Sequence, residues 1–262
     1  MKYWSIERDG PIMIARFANP PMGYFCAEAA GELSGLLLQW EDDPVRVIIL
    51  TGANGQFITH YSVEELISFG ADREEMERVG TALSDGYHEL LRSISSLSKP
   101  VIAAITGDCM GGGLELAMWC DLRIVARGDY RLGLPEVRLG IMPGGSGTQR
   151  LARLLGEAKA REMILLGQTF PPEVAHAIGL VHRISDDALL EAKTIGRDLA
   201  LLNPRALANI KQAMQPADAA GLKREAMAFL DTMRSAEAVR TMRAYVASAP
   251  EKRRAFLENT VG

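Results

Sequence analysis

Short apolar runs alternate with helix-like stretches over the first half of the chain. Residues 4 to 17 hold two apolar-rich runs about an Asp-Gly-Pro turn, which predicts a β-hairpin at a sheet edge. Residues 45 to 52 and 99 to 107 are apolar and β-branched enough to be strands buried on both faces. Helical patterns over residues 27 to 43 and 73 to 97 precede these two runs. The alternation predicts an α/β fold with a largely parallel sheet and right-handed crossovers.

The pattern becomes mostly helical beyond about residue 150, where only residues 179 to 184 (GLVHRI) interrupt it with strand-like residues. Before that change, residues 121 to 126 predict a further strand. We therefore expect an α/β core over residues 1–200 and a helical C-terminal region over residues 201–262. The apolar faces of these helices exceed what one small layer can cover, which favours contacts between subunits.

Composition and charge exclude several classes of protein. With 262 residues, 48% of them hydrophobic and 24% charged, the chain can bury a large core in one main domain. A net charge of -4 without a dense Lys/Arg run gives no electrostatic footprint for nucleic acid. Cys26, Cys109 and Cys120 have no C-x-x-C spacing, so we expect neither a disulfide framework nor a metal site. With no signal peptide and no apolar run near ~18 residues, we expect a cytoplasmic protein without a membrane partner.

The stretch CMGGGLELA, residues 109 to 117, places three consecutive glycines between a predicted strand and a predicted helix. This arrangement directs unpaired backbone N–H groups and the positive end of the helix dipole out of the sheet edge. The stretch matches neither G-x-x-x-x-G-K-[ST] nor G-x-G-x-x-G, so a phosphate site has little support. Two interpretations stay open: an oxyanion site that binds a carbonyl oxygen, or a tight turn that needs glycine for packing.

A second glycine-rich stretch, GLPEVRLGIMPGGSGTQRL at residues 133 to 151, contains Glu136. A nucleophile elbow, G-x-S-x-G, would need glycine where Thr148 stands, so Ser146 is better interpreted as a helix cap. A strand between Glu115 and Glu136 can fold back and bring both carboxylates to one pocket. Paired carboxylates in different environments can divide the roles of acid and base.

The residues SKPVIAAITGDCMGGGLELAMWCDLRIVA, followed by GLPEVRLGIMPGGSGTQRL, closely resemble the enoyl-CoA hydratase/isomerase (crotonase) superfamily. Residues 45 to 66 and 167 to 184 extend the resemblance over most of the chain. It implies a crotonase-like spiral of repeated ββα units with a helical C-terminal trimerisation region, in homotrimers or in hexamers of two trimers. It also implies an acyl-CoA substrate in fatty acid metabolism, with coenzyme A as part of the substrate and no separate cofactor.

The resemblance also implies roles for individual residues. The N–H groups of Gly112 and Thr59 fall on the two oxyanion positions that bind the thioester carbonyl. Glu115 and Glu136 fall on the positions of the two hydratase carboxylates, which hold a water and exchange its protons. Since isomerases of the family often manage with one carboxylate, the presence of both favours hydration of a 2-enoyl-CoA thioester.

The chain departs from the family pattern after Phe57. Where the family has close to A-G-x-D, this chain has Thr59, His60, Tyr61 and Ser62. If the glycine position requires a positive φ, His60 must strain the loop. We consider His60 and Tyr61 as candidates for the acyl-pocket wall or for acid/base chemistry. Residues 19 to 25 also differ from the family's CoA-cradling segment, and no role is assigned to them.

The altered loop leaves alternatives open. A related reaction on an acyl-CoA, such as isomerisation, thioester hydrolysis or decarboxylation, is the second hypothesis. A non-catalytic acyl-CoA-binding subunit is the third. His88, His176 and His182 have no partner spacing and are interpreted as structural or solvent-facing.

Overall fold

The computed structural model describes residues 1–71, 73–214 and 219–258. Its larger sheet has the strand order β1-β2-β3-β4-β6-β9, and every neighbouring pair is parallel except β1 and β2. The strands of this sheet are Trp4–Asp9 (β1), Ile12–Phe17 (β2), Val47–Gly52 (β3), Val101–Ile105 (β4), Leu122–Ala126 (β6) and Arg183–Ser185 (β9). The predicted edge hairpin and the largely parallel sheet are confirmed.

A smaller sheet is built from short strands in the order β5-β7-β8. These strands are Cys109–Met110 (β5), Leu132–Gly133 (β7) and Thr169–Phe170 (β8). After β4 and again after β6, the next strand along the chain belongs to the smaller sheet, so the backbone passes repeatedly between the two sheets. The three glycines follow β5 directly: Gly111 forms the turn, and Gly112 and Gly113 begin the next helix.

Helices cover the sheets and make up most of the second half of the described chain. They are Ala27–Asp42 (α1), Val63–Ala71 (α2), Arg73–Val79 (α3), Ala82–Ser96 (α4), Gly112–Trp119 (α5), Gly147–Leu155 (α6), Glu157–Leu166 (α7), Pro172–Ala177 (α8), Ala188–Leu201 (α9), Pro204–Ala213 (α10), Ala219–Met233 (α11), Ala236–Ala247 (α12) and Arg253–Glu258 (α13). Short 3₁₀ helices span Glu136–Leu139 and Pro250–Lys252.

Two sequence-based element boundaries are wrong. The expected single helix over residues 73 to 97 is divided into α3 and α4, because Gly80 adopts a φ of +58°, a left-handed conformation that ends a helix. The strand-like run over residues 179 to 184 forms a strand only from Arg183, after a turn in which Gly179 has a φ of +83°. In both cases glycine in a left-handed conformation overrides the apolar pattern of its neighbours.

The C-terminal helices pack on the rest of their own chain. A separate apolar cluster joins α2 and α3 to α11, α12 and α13, and it includes Leu66, Met76, Phe229, Met242, Tyr245 and Leu257. The boundary between residues 1–200 and 201–262, and the role of the second region in oligomerisation, stay predictions. None of the helices in the described ranges combines the length and apolar character that crossing a bilayer requires.

Candidate active site

The three glycines that follow β5 serve different purposes. Gly111 has a φ of +48°, which favours glycine, and a Cβ on it would lie 3.1 Å from Glu136 Oε1. A Cβ on Gly113 would lie 2.0 Å from the Ile58 carbonyl oxygen, so helix and loop backbones meet there without room for a side chain. Packing therefore explains Gly111 and Gly113, whereas Gly112 borders the cavity described below.

A hydrogen bond from α4 holds the backbone of Gly112 in place. The Tyr87 hydroxyl donates a hydrogen bond to the Gly112 carbonyl oxygen at 2.6 Å. No hydrogen bond from the Gly112 N–H is formed within residues 1–71, 73–214 and 219–258. As the first residue of α5, Gly112 presents one of the N–H groups that a helix leaves unpaired at its start. Such a group can stabilise negative charge that develops on a carbonyl oxygen.

Glu115 lies one turn into α5 and is buried, with 3% of its surface exposed. Its Oε1 accepts hydrogen bonds from the N–H of Gly145 at 2.9 Å and from the N–H of Gly147 at 2.7 Å. Burial, with the nearby carboxylates of Glu136 and Glu225, raises the pKa of Glu115, and the two N–H donors oppose that rise. The second glycine-rich stretch thus supplies the backbone donors that hold the first glutamate.

Glu136 begins the 3₁₀ helix after β7 and is also buried. Within the described residues its Oε2 has no hydrogen-bond partner. Burial raises the pKa of Glu136 to about 8, and the negative charge of Glu225 adds to the rise. Burial therefore favours the neutral acid at both glutamates, and Glu115 differs from Glu136 in having two backbone donors that stabilise its carboxylate form.

Both glutamates open into one cavity, together with Gly112, His60 and Tyr61. The rest of its lining is mainly apolar and comes from α2, α4, the 3₁₀ helix with the loop after it, and the C-terminal helices: Val63, Leu66, Leu83, Leu139, Ile141, Met142, Phe229 and Leu257. Two buried carboxyl groups beside a free N–H in an apolar cavity can move protons at a bound carbonyl compound with little competition from water.

His60 is buried without backbone strain. Among the described residues, the non-glycine positions with positive φ are Asn54 and Ser146, so the expected strain at His60 is absent. Its Nδ1 lies 2.7 Å from the Tyr61 carbonyl oxygen, which can only accept, so Nδ1 carries the proton. Its Nε2 accepts from the Tyr245 hydroxyl at 2.7 Å. Burial lowers the pKa of His60 to about 4, so the ring is neutral at physiological pH.

Thr59 lies apart from this cavity. Its N–H donates to the Gly23 carbonyl oxygen at 2.9 Å, and its hydroxyl donates to the Met22 carbonyl oxygen at 2.6 Å. It lines a neighbouring depression between residues 22–24 and α13. The structure thus brings Gly112, Glu115, Glu136, His60 and Tyr61 together, while the Thr59 N–H is occupied by a backbone partner.

Ser146 differs from the sequence-based interpretation, whereas the other histidines agree with it. Ser146 precedes α6 and has a φ of +78°, but its side chain makes no capping hydrogen bond. Its hydroxyl oxygen instead accepts a hydrogen bond from the Trp119 indole N–H. His88 is structural as expected and is buried beside Glu225. His182 accepts a hydrogen bond from the Arg123 N–H at 3.0 Å. Ser146 therefore shapes the loop around Glu115 by contact with Trp119 rather than by capping.

The C-terminal helices contribute residues to the site that the sequence motifs do not indicate. Phe229 and Leu257 line the cavity, Tyr245 binds His60, and Glu225 lies behind the glutamate pair. Each of these residues belongs to an ordinary amphipathic helix without a local motif. Glu225 lies on the apolar face of α11, but the residues that this face contacts become visible only in the structure.

Comparison with known proteins gives a consistent result. The family model of enoyl-CoA hydratase/isomerase matches residues 7–258. The chain is 34% identical to a probable enoyl-CoA hydratase of Bacillus subtilis, over 92% of this chain and 95% of that protein. It is also 34% identical to the short-chain-enoyl-CoA hydratase of Clostridium acetobutylicum, over 80% of this chain and 79% of that protein.

A solved structure shares the architecture. The crystal structure of an enoyl-CoA hydratase from Geobacillus kaustophilus superimposes with a TM-score of 0.75 at 29% identity, covering 93% of this chain and 93% of that chain. The fold is therefore the mixed α/β crotonase type, as the sequence predicts.

Proposed function

Since the chain belongs to the enoyl-CoA hydratase/isomerase family and is an enzyme of the lyase class, we propose that it adds water across the double bond of a 2-enoyl-CoA thioester. The observation that carries this proposal is the pair of buried carboxyl groups, Glu115 and Glu136, in one cavity beside the Gly112 N–H. Hydration needs a base for the attacking water and a proton for the α-carbon, and this pair can supply both.

The environments of the two glutamates divide these roles. Glu115, with two N–H donors on Oε1, acts as the carboxylate that accepts a proton from the water as its oxygen bonds to the β-carbon. Glu136, whose pKa is about 8, carries the proton that passes to the α-carbon. After one turnover Glu115 holds a proton and Glu136 is charged, and proton exchange through the next water restores the starting state.

Negative charge that develops on the thioester oxygen is stabilised by the Gly112 N–H, and one such donor contributes roughly 2.7 to 4 kcal/mol. The resemblance assigns the second donor to Thr59, but its N–H donates to the Gly23 carbonyl oxygen and Thr59 lies outside the cavity. The proposal therefore rests on the Gly112 N–H as the donor to the thioester oxygen. Coenzyme A is part of the substrate, and the proposal needs no separate cofactor.

In this proposal His60 is a wall of the acyl pocket rather than an acid or base. Its neutral ring, with both nitrogens occupied, supports that role. Tyr61, which lines the same cavity and packs edge-on against Tyr87, completes this wall. A trimeric or hexameric assembly belongs to the same proposal and is testable by light scattering on the purified protein. A cytoplasmic location and a role in fatty acid metabolism are further parts of the proposal.

The test follows loss of enoyl-thioester absorbance with short, medium and aryl 2-enoyl-CoA substrates. Wild type is compared with Glu115→Gln and Glu136→Gln, which keep the shape of the side chain. We expect rapid loss with at least one substrate, and a fall of about 10²- to 10⁴-fold in turnover for each variant. Asp231→Asn, an exposed change on α11, is the control and should retain wild-type turnover. No loss with any substrate, while acyl-CoA still binds, would overturn the proposal.

A related reaction on an acyl-CoA, namely isomerisation, thioester hydrolysis or decarboxylation, is the second candidate, because it would use the same cavity and the same Gly112 N–H. Mass analysis of the products separates these reactions, because only hydration adds the mass of water and retains the thioester. Binding without any product would identify the third hypothesis, a non-catalytic subunit.

A further inference from the structure

A third acidic residue lies behind the two glutamates. Glu225, on α11, has a fully buried side chain. Its Oε2 accepts hydrogen bonds from both the N–H of Thr148, at 2.8 Å, and the Thr148 hydroxyl. Its Oε1 lies 3.4 Å from Nε2 of the buried His88, and neither atom has a well-aligned hydrogen bond within the described residues. Burying a carboxyl group without contact to solvent is costly, so its retention here calls for a reason.

Glu225 is connected to Glu115 by a short chain of contacts. Thr148 directly follows Gly147, whose N–H donates to Glu115 Oε1 at 2.7 Å. The loop between Gly144 and Thr148 is therefore bonded on one side to the carboxylate of Glu115 and on the other to that of Glu225. Ser146, at the centre of the loop, has a φ of +78°, a conformation that surrounding contacts have to maintain.

We propose that Glu225 is a positioning residue of the active site: it fixes the loop that holds Glu115, and its carboxylate places a third negative charge behind the glutamate pair. The kinetic part of this inference rests on the proposed hydratase function. Glu225 does not line the cavity, so it acts through Thr148 and through its charge, without touching substrate.

The charge of Glu225 acts on both glutamates. It raises the pKa of Glu115 and that of Glu136 and thereby favours the proton on the pair. Glu136 also faces Glu115 from α5, Tyr87 from α4 and the neutral ring of His60 across the cavity. The base on α4 that faces Glu225 is His88. Removal of the charge on Glu225 should allow Glu136 to lose its proton at a lower pH.

Two variants separate the positioning effect from the charge effect. Glu225→Gln removes the charge but retains an oxygen that can accept from the Thr148 N–H. Thr148→Val removes the hydroxyl donor but leaves the charge of Glu225 in place. Asp231→Asn removes a negative charge from the exposed side of the same helix and serves as the matched control.

The first measurement is kcat and KM for hydration as a function of pH. The second is the infrared C=O band of protonated Glu136 in protein without substrate, and the absence of this band in Glu136→Gln assigns it. For Glu225→Gln we expect the alkaline fall in turnover and the loss of the band to move about one pH unit lower. For Thr148→Val we expect kcat to fall by about 3- to 10-fold with KM and both pH values unchanged. The control should match wild type in every measurement.

Wild-type kcat and wild-type pH values in Glu225→Gln would overturn the inference, even if the variant unfolds more easily. If Glu225→Gln does not fold, Thr148→Val decides: unchanged kcat overturns the positioning role and a reduced kcat supports it. If wild type hydrates no substrate, the proposed function fails by itself. The infrared band still reports whether Glu225 acts on Glu136.

Discussion

The active-site cavity has two walls of different origin. The motif wall consists of residues 111–115 and 135–147, in which glycine backbone and two glutamates meet over short distances in the sequence. The C-terminal wall consists of helices α11, α12 and α13, from which Phe229 and Leu257 line the cavity although they are distant from the glutamates in sequence. The hydrogen bond between His60 and Tyr245 spans 185 positions, and that between Thr148 and Glu225 spans 77. The comparison shows that the reacting groups come from short sequence motifs, whereas the residues that cover and orient them are brought there by tertiary packing.

The largest effect is expected from filling the motif wall. A Cβ on Gly145 would lie 2.5 Å from Glu115 Oε2 and 2.5 Å from Tyr87 Cε1, so Gly145→Ala displaces the carboxylate. Since a displacement of about 1 Å can cost about 100-fold in rate, we expect at least that loss of kcat in the hydration assay. Gly35→Ala, in α1 with open space around it, is the matched control. Turnover of Gly145→Ala near the wild-type value would show that the loop has room to adapt.

An intermediate effect is expected at the contact between His60 and Tyr245 of the C-terminal wall. His60→Phe preserves the ring and leaves the Tyr245 hydroxyl and the Tyr61 carbonyl oxygen without their partner. We expect unfolding free energy to fall by about 1 to 3 kcal/mol, with less than about a 10-fold change in kcat. Urea unfolding and the hydration assay measure the two quantities. A large loss of kcat at unchanged stability would instead identify His60 as catalytic.

His60 also gives the stability of wild type a pH dependence. Its pKa is about 4 when folded and 6.5 as a reference, so the unfolded chain binds a proton first as the pH falls. The neutral ring therefore contributes stability above about pH 6.5, which is lost as the pH falls towards about 4. His60→Phe should lack this part of the decline.

The smallest effect is expected at Glu136 and has the opposite sign. Its pKa is about 8 when folded against 4.5 as a reference, so the unfolded chain releases its proton first as the pH rises. Stability from the neutral acid is present below about pH 4.5 and declines up to about pH 8. Glu136→Gln does not titrate and should raise Tm near neutral pH by about 2 to 4 °C, corresponding to about 1 kcal/mol. Scanning calorimetry at acidic and neutral pH measures it; a Tm gain of the same size at both would contradict this origin.

The sequence predicted the motif wall well, because its signals are local. The apolar runs of β3 and β4 and the glycines before α5 fix where Gly112 and Glu115 lie. Their placement with Glu136 in one cavity follows from neighbouring strands ending at the same edge.

The C-terminal wall could not be predicted in the same way. The pattern showed that the last helices are amphipathic, but a helical pattern gives no information on which distant surface an apolar face will cover. Glu225 and Tyr245 acquire their partners only through the register of α11 and α12. The occupied Thr59 N–H was equally invisible, since it depends on the path of residues 19–25.

The return of α11, α12 and α13 over the cavity has a consequence for biosynthesis. Chains are made from the N-terminus, and domains begin to fold as they emerge. When the strands, both glutamates and Gly112 have left the ribosome, the residues that close over them have not yet been translated. The nascent protein thus carries a nearly complete set of reacting groups in an open, wet cleft, which is covered only after residues 219–258 have been made.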